Sequence, residues 1–191
     1  HFFYPISGDK TASLALPNDM AESVLHAALL NAYKRPVWMV IQAFTKPSER
    51  WMMPSAGQLR AMTYAAIIHG ASGIIFFSYD SFVTRNGLVI GMAPNPVERH
   101  QPLTKTEPLV ATKEQLSKSR ALWAETKRLN HEMTALAPLI LSPTSKRKLR
   151  VFVSGKSVSK TPIRVLIKEK AGEVYVIAVN LDEIPLEAEF Q

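Results

Sequence analysis

The chain has 191 residues, 47% of them apolar and 20% charged, with a formal net charge of +7 and no cysteine. That composition supports a sizeable buried core and excludes disulfides, thiolate nucleophiles and any cysteine-based zinc site. No apolar run reaches the roughly 18 residues of a spanning helix, so neither a membrane partner nor a membrane anchor is expected.

In chain order, Phe2–Ile6 reads as the tail of a strand, broken at Pro5 and followed by a Ser7-Gly8-Asp9 turn. The start at HFFYPISG, without an initiator Met and without a basic-then-apolar leader, is the expectation for a chain from which a signal or a whole preceding segment has been removed. Secreted, periplasmic and cytoplasmic locations all remain open. Asp19 with Glu22 three residues on predicts a helix start, and Ala21, Val24, Leu25, Ala28, Leu29 and Ala32 keep helical spacing up to Lys34.

Pro36–Phe44 (PVWMVIQAF) then predicts a buried strand, and Thr45–Pro54 a loop carrying Lys46, Glu49, Arg50 and Trp51. Ser55 with Gln58 is a second capping-box pattern, opening a helix whose inner face is Leu59, Met62, Thr63, Ala66 and Ile67 and which Gly70 stops. Gly73–Phe82 (GIIFFSYDSF) predicts the next strand. From Phe82 to about Val110 the chain is rich in Pro, Gly and Asn, a long loop of the kind that is commonly functional or disordered.

Thr112 with Gln115 caps a long helix, with Leu122, Leu129, Met133, Leu136 and Ile140 facing the core, that runs to about Pro138 and covers the preceding strand. Beyond Ser142-Pro143 the segments Leu149–Val153, Ile163–Lys168, Glu173–Asn180 and Leu186–Phe190 alternate and are separated by turn residues, as antiparallel strands do. The expected organisation is α/β over residues 1–141 and an antiparallel β module over residues 142–191.

In a parallel sheet the strand body is buried on both faces and the carboxyl ends meet the ligand. Both apolar strands turn polar at that end, which singles out Gln42, Tyr79 and Asp80. The late basic run, Lys146, Arg147, Lys148 and Arg150 followed by Lys156, Lys160, Arg164, Lys168 and Lys170, lacks aromatic interleaving and reads as a solvated face, so no nucleic-acid partner is expected. His1, His26, His69, His100 and His131 show no paired ligand spacing, no metal or other cofactor is expected, and Trp38 and Trp123 are assigned to the core.

The segments HFFYPIS, PVWMVIQAF, QLRAMTYAAIIHGASGIIFFSYDSF, LWAETKRLNHEMTALAPLIL and GEVYVIAVN together resemble the last part of a (β/α)8-barrel glycoside hydrolase, the broad group that includes the β-galactosidases. The resemblance spans nearly the whole chain. It implies a partial barrel of about three βα units, carrying the ends of barrel strands six to eight, then an accessory β-sandwich. It also implies a glycan or glycoside as substrate.

Glycoside hydrolysis requires two carboxyl groups, about 5–5.5 Å apart for retention or about 6.5–9.5 Å for inversion. The resemblance puts the nucleophile at the end of strand seven, where this chain has Gln42 or its neighbours, and the acid/base on strand four, which the chain does not contain. An amide cannot form the glycosyl ester, so Gln42 is expected to orient a hydroxyl or water, and the catalytic pair is assigned to Asp80 and Glu49. Tyr79, Tyr4, Phe44 and Trp51 are the expected sugar platform, because pyranose C–H faces pack on aromatic rings.

Three βα units cannot close an eight-stranded barrel, and bare parallel edges are poorly tolerated. A homo-oligomer or a missing N-terminal barrel half is therefore expected. The rival expectation is a noncatalytic carbohydrate-binding or scaffold remnant of a barrel glycosidase.

Overall fold

The computed structural model describes residues 21–49, 51–84, 87–93, 111–153, 156–157, 162–182 and 185–191, and only the backbone of Glu49, Val83, Lys156 and Ser157. The expected strand at Phe2–Ile6, the Asp19 cap and most of the proline-rich stretch lie outside these residues.

Helix α1 covers residues 21–30 and buries Ala21, Val24 and Ala28, the i, i+3, i+7 pattern of one helical face. It stops short of the predicted end at Lys34 because Ala32 and Tyr33 enter the left-handed region, at φ 52 and 56. The Tyr33 N–H donates back to the Ala28 carbonyl at 2.9 Å and so closes the helix end.

Strands β1 (Trp38–Gln42) and β2 (Gly73–Phe77) run parallel, with Trp38 opposite Gly73 and Gln42 opposite Phe77. Helix α2 (Ala56–Ile68) makes the crossover that a parallel pair needs. Its capping box forms as expected: Gln58 N donates to Ser55 Oγ at 3.1 Å, and Ser55 N donates to Gln58 Oε1 at 2.9 Å. Leu59, Met62, Thr63, Ala66 and Ile67 are all buried, and Gly70 leaves the helix at φ 103.

Directly opposed residues of paired strands point to the same side of the sheet. Met39 and Ile41 face the helices together with Ile74 and Phe76, while Trp38, Val40 and Gln42 share the other side with Ile75 and Phe77. The core assignment of Trp38 is corrected here, since it is 64% exposed. It opens its strand, and its ring lies across Gly73, where a Cβ would come within 2.8 Å of the indole.

The second strand also ends earlier than expected, at Phe77. Phe82 instead opens β3 (Phe82–Thr84), which pairs antiparallel with β4 (Gly87–Val89), so the predicted long loop begins with a hairpin. Gly87, at φ 124, takes a backbone position that suits glycine.

Helix α3 (Lys113–Ile140) starts at the Thr112–Gln115 capping box and continues past Pro138, so its end is later than expected. Leu122 and Leu129 are fully buried two turns apart, while Met133, Leu136 and Ile140 are half-buried. A charged lattice ties α3 to α2. Arg60 bridges Glu125 and Glu132 at 2.8 Å each, Arg128 reaches Glu125 at 2.6 Å, and the Tyr64 hydroxyl donates to Glu132. Burial first, and then that hydrogen bond, push the Tyr64 pKa up to about 12.

The carboxyl-terminal part is antiparallel, as expected. Strands β7 (Ile163–Lys170) and β8 (Glu173–Asn180) form a hairpin closed by Ala171 and Gly172 at φ 53 and 83, the two positive values of a primed turn. Strands β5 (Val151–Val153), β6 (Lys156–Ser157) and β9 (Ala188–Phe190) make a three-stranded sheet in the order β6-β5-β9. The β7–β8 hairpin packs on α2 and α3, and Leu181 joins the same buried cluster as Leu59 and Leu122.

One member of the basic run is corrected. Lys168 is only 6% exposed, and its Nζ donates to the Ser142 carbonyl at 2.6 Å and to Thr144 Oγ1 at 3.2 Å, fastening β7 to the end of α3. Burial lowers its pKa. The whole is a mixed α/β fold in which no closed barrel forms among the described residues.

His69, at the end of α2, hydrogen-bonds the Ala65 carbonyl through Nδ1 at 2.8 Å, and burial holds its pKa below the ordinary value. A depressed folded pKa means that the unfolded chain binds the proton more readily. Stability is therefore complete above about pH 6.5 and falls as the pH drops through the folded pKa. Denaturant titrations from about pH 7 to about pH 5 should show this loss, with a shallower slope in His69→Gln; an unchanged slope would remove His69 from the acid response.

Candidate functional site

The two loops that leave the carboxyl ends of β1 and β2 are sewn together through the β3–β4 hairpin. Thr45 and Ile90 exchange backbone hydrogen bonds at 3.0 and 2.9 Å, and the short 3-10 turn Pro47–Glu49 lies against β4. The turn after β2 is held by Met92 N to Ser78 O at 3.0 Å and by Ala93 N to Tyr79 O at 2.8 Å. Gly91 sits inside that turn, with room for no side chain. Tyr79 and Asp80 thus project from a fixed backbone.

Gln42 is 2% exposed. Its Nε2 donates to the carbonyls of Phe44 and Met52, both at 2.9 Å, which closes the Thr45–Pro54 loop back onto its strand. Its Oε1 is buried and accepts no hydrogen bond from any described residue. An orphan buried acceptor costs about 1–3 kcal/mol, so this one calls for a donor.

Phe44 is buried at 2% and supports two neighbours edge-on, Trp51 at 5.8 Å and Phe77 at 5.7 Å between ring centroids. Phe77 in turn meets Phe82 at 6.3 Å. Trp51 is half-buried, and Lys46 Nζ lies 5.3 Å from its ring. Tyr79 belongs to a separate pair: it is 46% exposed and packs 4.9 Å from Trp123 on α3. Asp80 has an exposed side chain, while its carbonyl accepts from Ser78 Oγ at 2.9 Å.

Gln42, Phe44, Trp51, Tyr79 and Asp80 therefore share one end of the sheet, and the backbone of Glu49 lies in the loop beside them. Tyr4 lies outside the described residues. Phe77 and Trp123 were not among the expected site residues. The alternation of β2 could have found Phe77, which shares a side with Gln42, but nothing in the helical spacing of Trp123 pointed to Tyr79. Among the described residues no group of His, Asp and Glu is arranged to hold a metal ion, and no helix is long and apolar enough to cross a membrane.

No protein-family model, curated protein or solved structure matches this chain.

Proposed function

We propose that this chain supplies the last strands of a (β/α)8-barrel glycoside hydrolase-like protein and engages a glycan at the carboxyl ends of β1 and β2. The parallel register carries the reading. With Gln42 opposite Phe77, the loop bearing Glu49 and Trp51 and the turn bearing Tyr79 and Asp80 leave from the same end of the pair, where α/β sheets bind ligands. Tyr79 floors the sugar, Asp80 serves as nucleophile or base and Glu49 as acid, while the buried Gln42 amide, expected to orient a hydroxyl or water, instead holds the loop bearing Glu49 and Trp51 against its strand.

Apolar residues left exposed on the sheet support the partial barrel. Trp38, Ile75 and Phe77 are exposed on the side away from α2, although parallel sheets are normally buried on both faces. Further parallel strands, from a preceding segment of a longer protein or from a second copy, would cover them.

The test is release of nitrophenol from aryl glycosides by the intact chain and by Asp80→Asn and Glu49→Gln. Loss of about 100-fold or more in either variant is the expected result. Traces of activity that neither substitution changes would exclude this catalytic pair.

One observation favours a noncatalytic role. The residue at the implied nucleophile position is an amide whose Nε2 is committed to two backbone carbonyls, so it offers no carboxylate for a glycosyl ester. On that reading the chain binds glycans with no turnover above blank.

A further inference from the structure

Trp123 packs half-buried against the core, as expected, and its ring also lies at 60° to the exposed ring of Tyr79, while Lys127, one turn further along α3, holds its Nζ 5.8 Å from the indole. Arg120 lies three residues before Trp123, on the same stripe of the helix, and both cations are exposed. The platform therefore has two rings for a sugar's C–H face and a positively charged rim.

A neutral sugar would use the rings and leave the cations in water. A sugar bearing a carboxylate would use both, pairing its anion with the ammonium while its ring packs on the aromatics. A cation lying over an exposed ring gains little, so Lys127 moves from Trp123 to an anion at small cost. The chain's net charge of +7 adds a field of the same sign. Asp80, beside Tyr79, repels an anion and so directs it to the α3 side.

The geometry points to Trp123 and Lys127 as an outer subsite for a uronic acid residue, adjoining Tyr79; this rests on the reading of the strand ends as a glycan site. Calorimetric titration of the intact chain with a galacturonic acid trisaccharide and with a neutral galactose trisaccharide tests it. The anionic sugar should bind about threefold to fivefold more tightly at low salt, with the preference collapsing near 0.5 M salt, where the Debye length falls to only about 4 Å.

Lys127→Met should erase the preference, Lys127→Arg should keep it, and Trp123→Phe should weaken both sugars less than Trp123→Ala, which should cost about tenfold. Equal affinity for the two sugars, or a preference that survives Lys127→Met, would overturn the subsite and leave the glycan reading standing. Binding of neither sugar would remove both.

Discussion

Replacing Gly91 by alanine is expected to unfold the chain or cost it about 4 kcal/mol or more, the range reserved for changes the backbone cannot absorb. A Cβ at this position would stand 2.4 Å from the Asp80 carbonyl oxygen, 2.5 Å from that of Tyr79 and 2.6 Å from that of Ser78. These are main-chain atoms already engaged. Ser78 O and Tyr79 O accept from Met92 and Ala93, Gly91 N donates to Ser81 Oγ at 3.0 Å, and Gly91 O accepts from Ser119 Oγ at 2.7 Å. No rotamer change relieves the clash, so the turn that carries Tyr79 and Asp80 must open. Gly57→Ala is the control: its Cβ would have only Ser55 Oγ nearby, at 3.9 Å, and a glycine inside a helix costs about 0.5–1 kcal/mol relative to alanine. That variant should be slightly more stable. Urea unfolding followed by circular dichroism compares the two, and a Gly91→Ala loss under about 1 kcal/mol would mean that the turn is not packed as described.

Gln42→Glu should be the most damaging near-isosteric change at the site, with a pH signature of its own. The new carboxylate would bring an acceptor where Nε2 now donates to two carbonyls, in a position 2% exposed. Burial and the loss of both hydrogen bonds disfavour its ionised form, so its folded pKa should rise well above the usual 4.3 or so. The sign follows: a raised folded pKa gives stability that is present below the unfolded pKa and lost as the pH climbs through the folded one. The variant should come close to wild type near pH 4 and fall about 3 kcal/mol or more behind it near pH 8. A pH-independent difference would show that the amide is not held as described.

Local chemistry carried much of the fold. The Ser55–Gln58 and Thr112–Gln115 pairs announced both capping boxes because each uses side chains within one turn of the helix start. The Glu173–Asn180 strand was legible end to end, since its alternation and the Ala171-Gly172 turn are nearest-neighbour effects. What failed depended on distant partners. Trp38 looked like core by its place within an apolar strand, but it opens that strand and is left 64% exposed. Lys168 looked like surface by charge, but Ser142 and Thr144 supply oxygens that sequence could not place beside it. The strand-end rule brought Gln42, Tyr79 and Asp80 to one end of the sheet, but not the inward turn of the Gln42 amide nor the pairing of Tyr79 with Trp123, both set by loops and by α3.

The β3–β4 hairpin is bracketed by contacts that close without it. Thr45 pairs with Ile90 on one flank, and Ser78 and Tyr79 with Met92 and Ala93 on the other, so the base of this excursion is secured independently of its tip. Such an arrangement is permissive for grafting. Residues inserted between β3 and β4 would leave these contacts, and with them the mounting of Tyr79, in place, giving evolution or an engineer a point at which the chain can be lengthened without rebuilding the turn.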